Sequence, residues 1–231
     1  MNMPQAPGKF AYRNLANAAS LLGVLPLIIL FMDGGFQYVI PLIIYNNFID
    51  DLDGVLAAAL NIRSKFGADL DNVCDAVAHI SLALAVGAHF GNFLIVASAI
   101  AAGSILIRIV LRLQPAVFAG QGSQTNELMR HILFALLLAG QFDFSPVYIL
   151  AAIYLIHAVT MVVPYRMPHP IIDAATTATR LGLVNVALVA AWLIPAITPI
   201  IATAFFGAYL YAFFAGTITR AKALLSPVIV K

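Results

Sequence analysis

An all-α bundle of membrane-spanning helices is the fold class that this sequence predicts, on three observations. Hydrophobic residues make up 62% of the 231 and charged residues 10%, with a mean hydropathy of +0.97, which is too apolar for a single soluble core. Apolar runs recur from Leu21 to the C-terminus, at lengths suited to a hydrocarbon core about 30 Å thick. Read as eight helices, these runs leave all 12 Lys and Arg residues on one side. The expectation is a polytopic helical bundle forming one integral-membrane domain over residues 1–231.

The polar N-terminus carries Lys9 and Arg13 and leads into the apolar run 20–32. Met32-Asp33-Gly34-Gly35 lacks a small-x-small cleavage site, so a retained helix over 18–33 is expected rather than a signal peptide. Further helices are expected over 36–60, 67–88, 91–112, 126–141, 144–164, 177–196 and 198–218. The fifth is short for a bilayer, but charge parity supports it: without it, Arg166 and Arg180 would lie opposite the other basic residues. With it, Lys9, Arg13, Arg63, Lys65, Arg108, Arg112, Arg130, Arg166, Arg180, Arg220, Lys222 and Lys231 share a side, opposite Asp33 and Asp143. The positive-inside rule then places both termini in the cytoplasm. The Gly- and Gln-rich connection 114–126 reads as a cytoplasmic loop, or as a segment dipping back toward a site. The lone Cys74 excludes an intrachain disulfide and a Cys-based metal site. No basic arm or block suits nucleic acid.

Six of the ten acidic residues (Asp50, Asp51, Asp53, Asp69, Asp71 and Asp75) crowd into residues 50–75, between two apolar runs. At about 100° per residue, Asp50, Asp53, Gly54 and Ala57 share about 100° of arc near the cytoplasmic end of the second helix. Gly67, Asp71 and Asp75 share about 80° at the start of the third. A short loop lets the two stripes face each other, and the small residues let backbones approach or leave room for a ligand. Each carboxylate costs roughly 3 kcal/mol at membrane depth before any mutual repulsion. Two divalent cations would cancel four such charges, and carboxylate oxygens suit Mg²⁺ or Mn²⁺. A two-metal centre is a clamp for displacement at phosphorus. Asp69 points about 160° away from Asp71 and reads as a solvated acid. Asp51, at the stripe's edge, reads as a support behind the ligands.

The pattern Asp50-x2-Asp53-Gly54-x2-Ala57-Ala58-x8-Gly67-x3-Asp71-x3-Asp75 resembles the CDP-alcohol phosphotransferase signature, D-x2-D-G-x2-A-R-x8-G-x3-D-x3-D. "SKFGADLD" at 64–71 is most like the bacterial phosphatidylserine synthase branch, and "RNLANAASLLG" at 13–23 looks like the family's Asn-containing first helix. The resemblance implies a six-helix core, here with two helices added, in the bacterial inner membrane with a cytoplasmic active site and a homodimeric assembly. It implies that CDP-diacylglycerol binds with its pyrophosphate on two divalent cations. The hydroxyl of a small alcohol then attacks the β-phosphorus and releases CMP, in phospholipid biosynthesis. By the same resemblance Asp50, Asp53, Asp71 and Asp75 hold the metals, with Asp75 also the general base. Gly54, Ala57, Gly67 and Asn14 meet the nucleotide. One position departs: Ala58 stands where the family has Arg. Arg63 and Lys65 lie near in sequence but off Ala58's helical position, leaving Arg108 or Arg112 as substitutes from another helix.

L-serine is the expected acceptor. After Asp75 the helix reads "AVAHISLALAVGAH", without the cations that a phosphate monoester would need. Serine needs one arginine for a bidentate contact, and Arg108, Arg112 and Arg130 are available. Asn72 stands where the serine branch often has Ser. Glycerol phosphate, inositol phosphate and choline are the alternatives within the family, and a non-catalytic member is the reading that Ala58 alone would favour. A transporter with an acidic pathway is the alternative outside the family, but no internal repeat is visible.

Other polar residues have two readings each. His79, one turn past Asp75, touches the acceptor or bonds a neighbouring helix. Arg108, Arg112 and Arg130 read as interfacial anchors when they are not acceptor ligands. Glu127 favours a helix dipole, Asn14 and Asn17 reach the nucleotide or start a helix, and Cys74 packs. His89, His131, His157 and His169 show no metal spacing. Phe205-Phe206 and Phe213-Phe214 face lipid or pack between helices.

Overall fold

The computed structural model describes residues 12, 14–114, 122–165, 167–168 and 178–225, with the backbone alone at 178–180 and 223–225. Lys9, Arg13, Arg166, His169, Lys231 and most of the 114–126 connection lie outside the described residues. Among the described residues there are eight α-helices and no strand: α1 (Leu15–Val24), α2 (Val39–Ala59), α3 (Lys65–Phe90), α4 (Asn92–Leu113), α5 (Thr125–Phe142), α6 (Val147–Val162), α7 (Ala178–Leu193) and α8 (Thr198–Leu225). Every apolar run after the first folds as a single α-helix, the second to the sixth with ends close to those expected and the seventh ending near its expected end. The eighth continues past 218 as far as Leu225, the last of the described residues.

The first run departs from expectation. A continuous helix over 18–33 does not form; α1 ends at Val24 and a 3₁₀ segment, Leu25–Phe31, follows. Pro26 is the cause, since it has no N–H to give the Leu22 carbonyl four residues back. Tyr45 of α2 answers that carbonyl, donating its hydroxyl at 3.0 Å. The break is thus bonded into the neighbouring helix rather than left open.

Helix α3 begins where Ser64, in extended backbone, accepts the Gly67 N–H at 2.9 Å. It ends at Gly91, whose φ of 66° suits glycine and turns the chain directly into α4. The α3–α4 pair packs closely: a Cβ on Gly87 would lie 2.0 Å from Ser98 Oγ. The core runs along α3, α4, α5 and α6, with Leu82, Leu94, Ile105, Leu133 and Tyr154 fully buried. α1 rests on α2 and α3, α7 on α2 and α8, and α8 on α5. Large apolar side chains such as Phe31, Tyr148 and Ile200 point outward. Among the described residues, three helical stretches (Lys65–Phe90, Asn92–Leu113 and Pro195–Lys222) are long and apolar enough to cross a bilayer. Leu15–Phe31, Val147–Val162 and Leu181–Leu193 are shorter apolar helices. This is a membrane protein.

Candidate active site

The acids meet where the end of α2 faces the start of α3. Asp50, Asp53 and Asp71 each offer an oxygen, and the three oxygens lie within 4.8 Å of one another. Asp75 stands outside that mutually close set, but its carboxyl group contacts that of Asp50, as Asp71 contacts Asp53. Asp71 Oδ1 is buried without a hydrogen-bond partner. A buried carboxylate oxygen with nothing to accept from, beside two other carboxylates, has the chemistry of a hard-cation ligand. Asp51 and Asp69 do not join the set.

Neutral side chains from three other helices hold three of these acids. Ser20 of α1 donates its hydroxyl to Asp53, Asn126 of α5 donates to Asp50 at 2.5 Å, and Asn185 of α7 donates to Asp51 at 2.5 Å. Sequence reasoning missed all three, because a single Ser or Asn, in an apolar run (Ser20, Asn185) or at a polar helix start (Asn126), has no spacing that marks it. Such partners fix a carboxylate's direction without adding charge.

A cleft of about 250 Å³ opens beside the cluster, lined by Asn17, Asp53, Gly54, Ala57, Arg63, Gly67 and Asp71 among others. The two glycines serve different ends. A Cβ on Gly54 would meet nothing within 4 Å, so its bare backbone widens the cleft. A Cβ on Gly67 would come 2.9 Å from Asn17 Oδ1, so there glycine leaves room for the Asn17 side chain. Asn14 does not line the cleft; its Oδ1 accepts from Asn17 Nδ2 at 2.8 Å and steadies the residue that does. Ala58 is exposed and off the cleft, while Arg63 brings a cation into it. Arg112, exposed at the end of α4, acts electrostatically on Asp71.

Two of the three arginines read as interfacial anchors are not anchors. Arg108 and Arg130 are 5% and 4% exposed. Arg108 donates to the Met161 carbonyl at 3.4 Å, and Arg130 Nε to Asn47 Oδ1 at 2.9 Å. Their helices turn these faces inward, where backbone and amide oxygens replace water. His79 is buried beyond Asp75 with Nδ1 lacking a partner. His131 Nδ1 and His157 Nε2 meet at 2.8 Å, a pairing hidden by their separation in sequence.

A model of the CDP-alcohol phosphatidyltransferase family matches residues 13–165, more than half of the chain and the whole aspartate constellation. The chain belongs to the CDP-alcohol phosphatidyltransferase family. No curated protein is similar enough to count as a relative. Family membership makes this an enzyme of phospholipid synthesis that transfers a phosphatidyl group from a CDP-alcohol, with a divalent metal. Helices α7 and α8 lie beyond the matched segment.

Proposed function

We propose that this transferase moves the phosphatidyl group of CDP-diacylglycerol to the hydroxyl of L-serine and releases CMP. The observation that carries the reading is the set of three carboxylate oxygens within 4.8 Å of one another, two of whose parent residues line the cleft that holds Gly54, Arg63 and Gly67. Asp50, Asp53, Asp71 and Asp75 would hold two divalent cations, Mg²⁺ or Mn²⁺. Bound there, the cations would neutralise the pyrophosphate oxygens and stabilise departing CMP.

The side chains supply the rest. Gly54, Ala57 and Gly67 shape the nucleotide's place, with Arg63 as its cation and Asn14 behind Asn17. Asp75 takes the proton from the serine hydroxyl. The serine oxygen bonds to the β-phosphorus as that phosphorus loses its bond to the oxygen of CMP, which leaves with the electron pair. Arg112, on the same side as the cluster, orients the serine carboxylate. Both termini and the site lie on the cytoplasmic side of a bacterial inner membrane, all eight helices span it, and the enzyme is a homodimer. The test is CMP release by purified protein given CDP-diacylglycerol and serine, glycerol phosphate, inositol phosphate or choline. Turnover with another acceptor and none with serine would refute the serine assignment.

A further inference from the structure

Behind the site a hydrogen-bonded chain crosses from a buried cation to a carboxylate. Arg130 Nε of α5 donates to Asn47 Oδ1 of α2 at 2.9 Å, and Asn47 Nδ2 donates to Asn185 Oδ1 of α7 at 2.8 Å. Asn185 Nδ2 then donates to Asp51 Oδ2 at 2.5 Å. Asn47 Nδ2 also reaches that oxygen, at 3.4 Å. Arg130, Asn47 and Asn185 are 4%, 3% and 7% exposed. The direction of the chain does not depend on how the amides are drawn. Arginine only donates and a carboxylate only accepts, so each carboxamide must turn its oxygen toward Arg130 and its nitrogen toward Asp51. Chains of aligned donors polarise one another, which favours opposite charges at the two ends.

Asp51 adjoins Asp50 in sequence yet stays out of the mutually close set. A fifth carboxylate beside a cation site is a competing ligand unless something holds it away. We propose that Asn185 is a positioning residue: by tying Asp51 to Arg130 through two carboxamides, it keeps Asp51 turned from the cation site of Asp50, Asp53 and Asp71. The inference rests on the cation-binding reading of those acids. It extends it to α7, which lies outside the matched family segment. The charges agree: two divalent cations balance the four ligand acids, and Arg130 balances Asp51.

Mn²⁺ binding to the detergent-purified full chain, titrated by electron paramagnetic resonance without substrate, tests this apart from turnover. Asn185→Ala should release Asp51 and tighten Mn²⁺ binding about tenfold, opposite in sign to the loss of about 10–100-fold usual when a supporting partner is removed. Asn185→Ala with Asp51→Asn should return to the wild-type affinity, because an amide is a poor rival to a carboxylate. A merely structural Asn185 would not give that reversal. Asp51→Asn alone should bind Mn²⁺ within about twofold of wild type, which keeps the test open if the Asn185 variant does not fold. Unchanged or weakened affinity in Asn185→Ala, or a tenfold weakening in Asp51→Asn alone, would overturn the relay. Failure of the wild type to bind Mn²⁺ would instead remove the cation site itself, and the relay with it.

Discussion

Asn126, at the start of α5, donates its side-chain amide to Asp50 Oδ2 at 2.5 Å, across a sequence separation of 76 residues. One helix supplies the acid and another aims it. Asn126→Ala should therefore lower the rate of CMP release by about tenfold or more, the range for losing a partner that orients a metal ligand. Ser20→Ala should do the same through Asp53. The check is a rate measurement beside a melting curve. Full activity in both variants would show that the acids need no such support.

Removing cations should stop the reaction. Chelation should abolish CMP release, and Mg²⁺ or Mn²⁺ should restore it. Asp71→Asn and Asp75→Asn should each lose at least about a hundredfold, the lower end of a general acid–base contribution. Asp69→Asn, outside the mutually close set, should change the rate little. Full turnover in chelator would exclude the cation reading.

Much of this was legible in the sequence, for physical reasons that also mark where legibility ends. Helices in a bilayer must satisfy their own backbone and bury charge, so hydropathy located all eight and the Asp spacing located the facing stripes. What hydropathy cannot report is which face of a helix turns inward. Arg108 and Arg130 read as anchors because Arg near a helix end usually snorkels; here both point into the bundle. Ser20, Asn126 and Asn185 had no pattern to find, since each acts alone and its partner lies on a distant helix. Pro26 was the one avoidable miss. Its position inside the first apolar run signals the break between α1 and the 3₁₀ segment.

The two cleft glycines should respond oppositely to the same substitution. Gly67→Ala puts a methyl 3.1 Å from Ser64 Oγ, the oxygen that caps α3, as well as 2.9 Å from Asn17 Oδ1, so the cap is disturbed and the melting temperature should fall. Gly54→Ala meets nothing within 4 Å, and replacing a mid-helix glycine favours folding by about 0.5–1 kcal/mol. Its melting temperature should hold or rise, while KM for the CDP-lipid increases because the methyl enters the cleft. A destabilised Gly54→Ala protein with normal KM would contradict this division.

With Ala58 exposed where the family carries arginine, Arg63 is the cation that lines the cleft. A hydrogen bond to a charged group is worth about 1.5–3 kcal/mol, so Arg63→Ala should raise KM for the CDP-lipid by about tenfold or more. Because the proposed contact is to the nucleotide rather than to the reacting oxygen, kcat should change less than KM. Arg112 provides the contrast. Its charge reaches Asp71 from the far end of α4, and Arg108 and Arg130 are already engaged with Met161 and Asn47. Of these three, Arg112 is the one proposed to meet a serine carboxylate. Arg112→Ala should raise KM for serine while leaving KM for the CDP-lipid near wild type, the reverse of Arg63→Ala. Initial rates with each substrate varied in turn would separate the two. If Arg112→Ala affects only the CDP-lipid, the arginine belongs to the nucleotide and serine must be recognised without it.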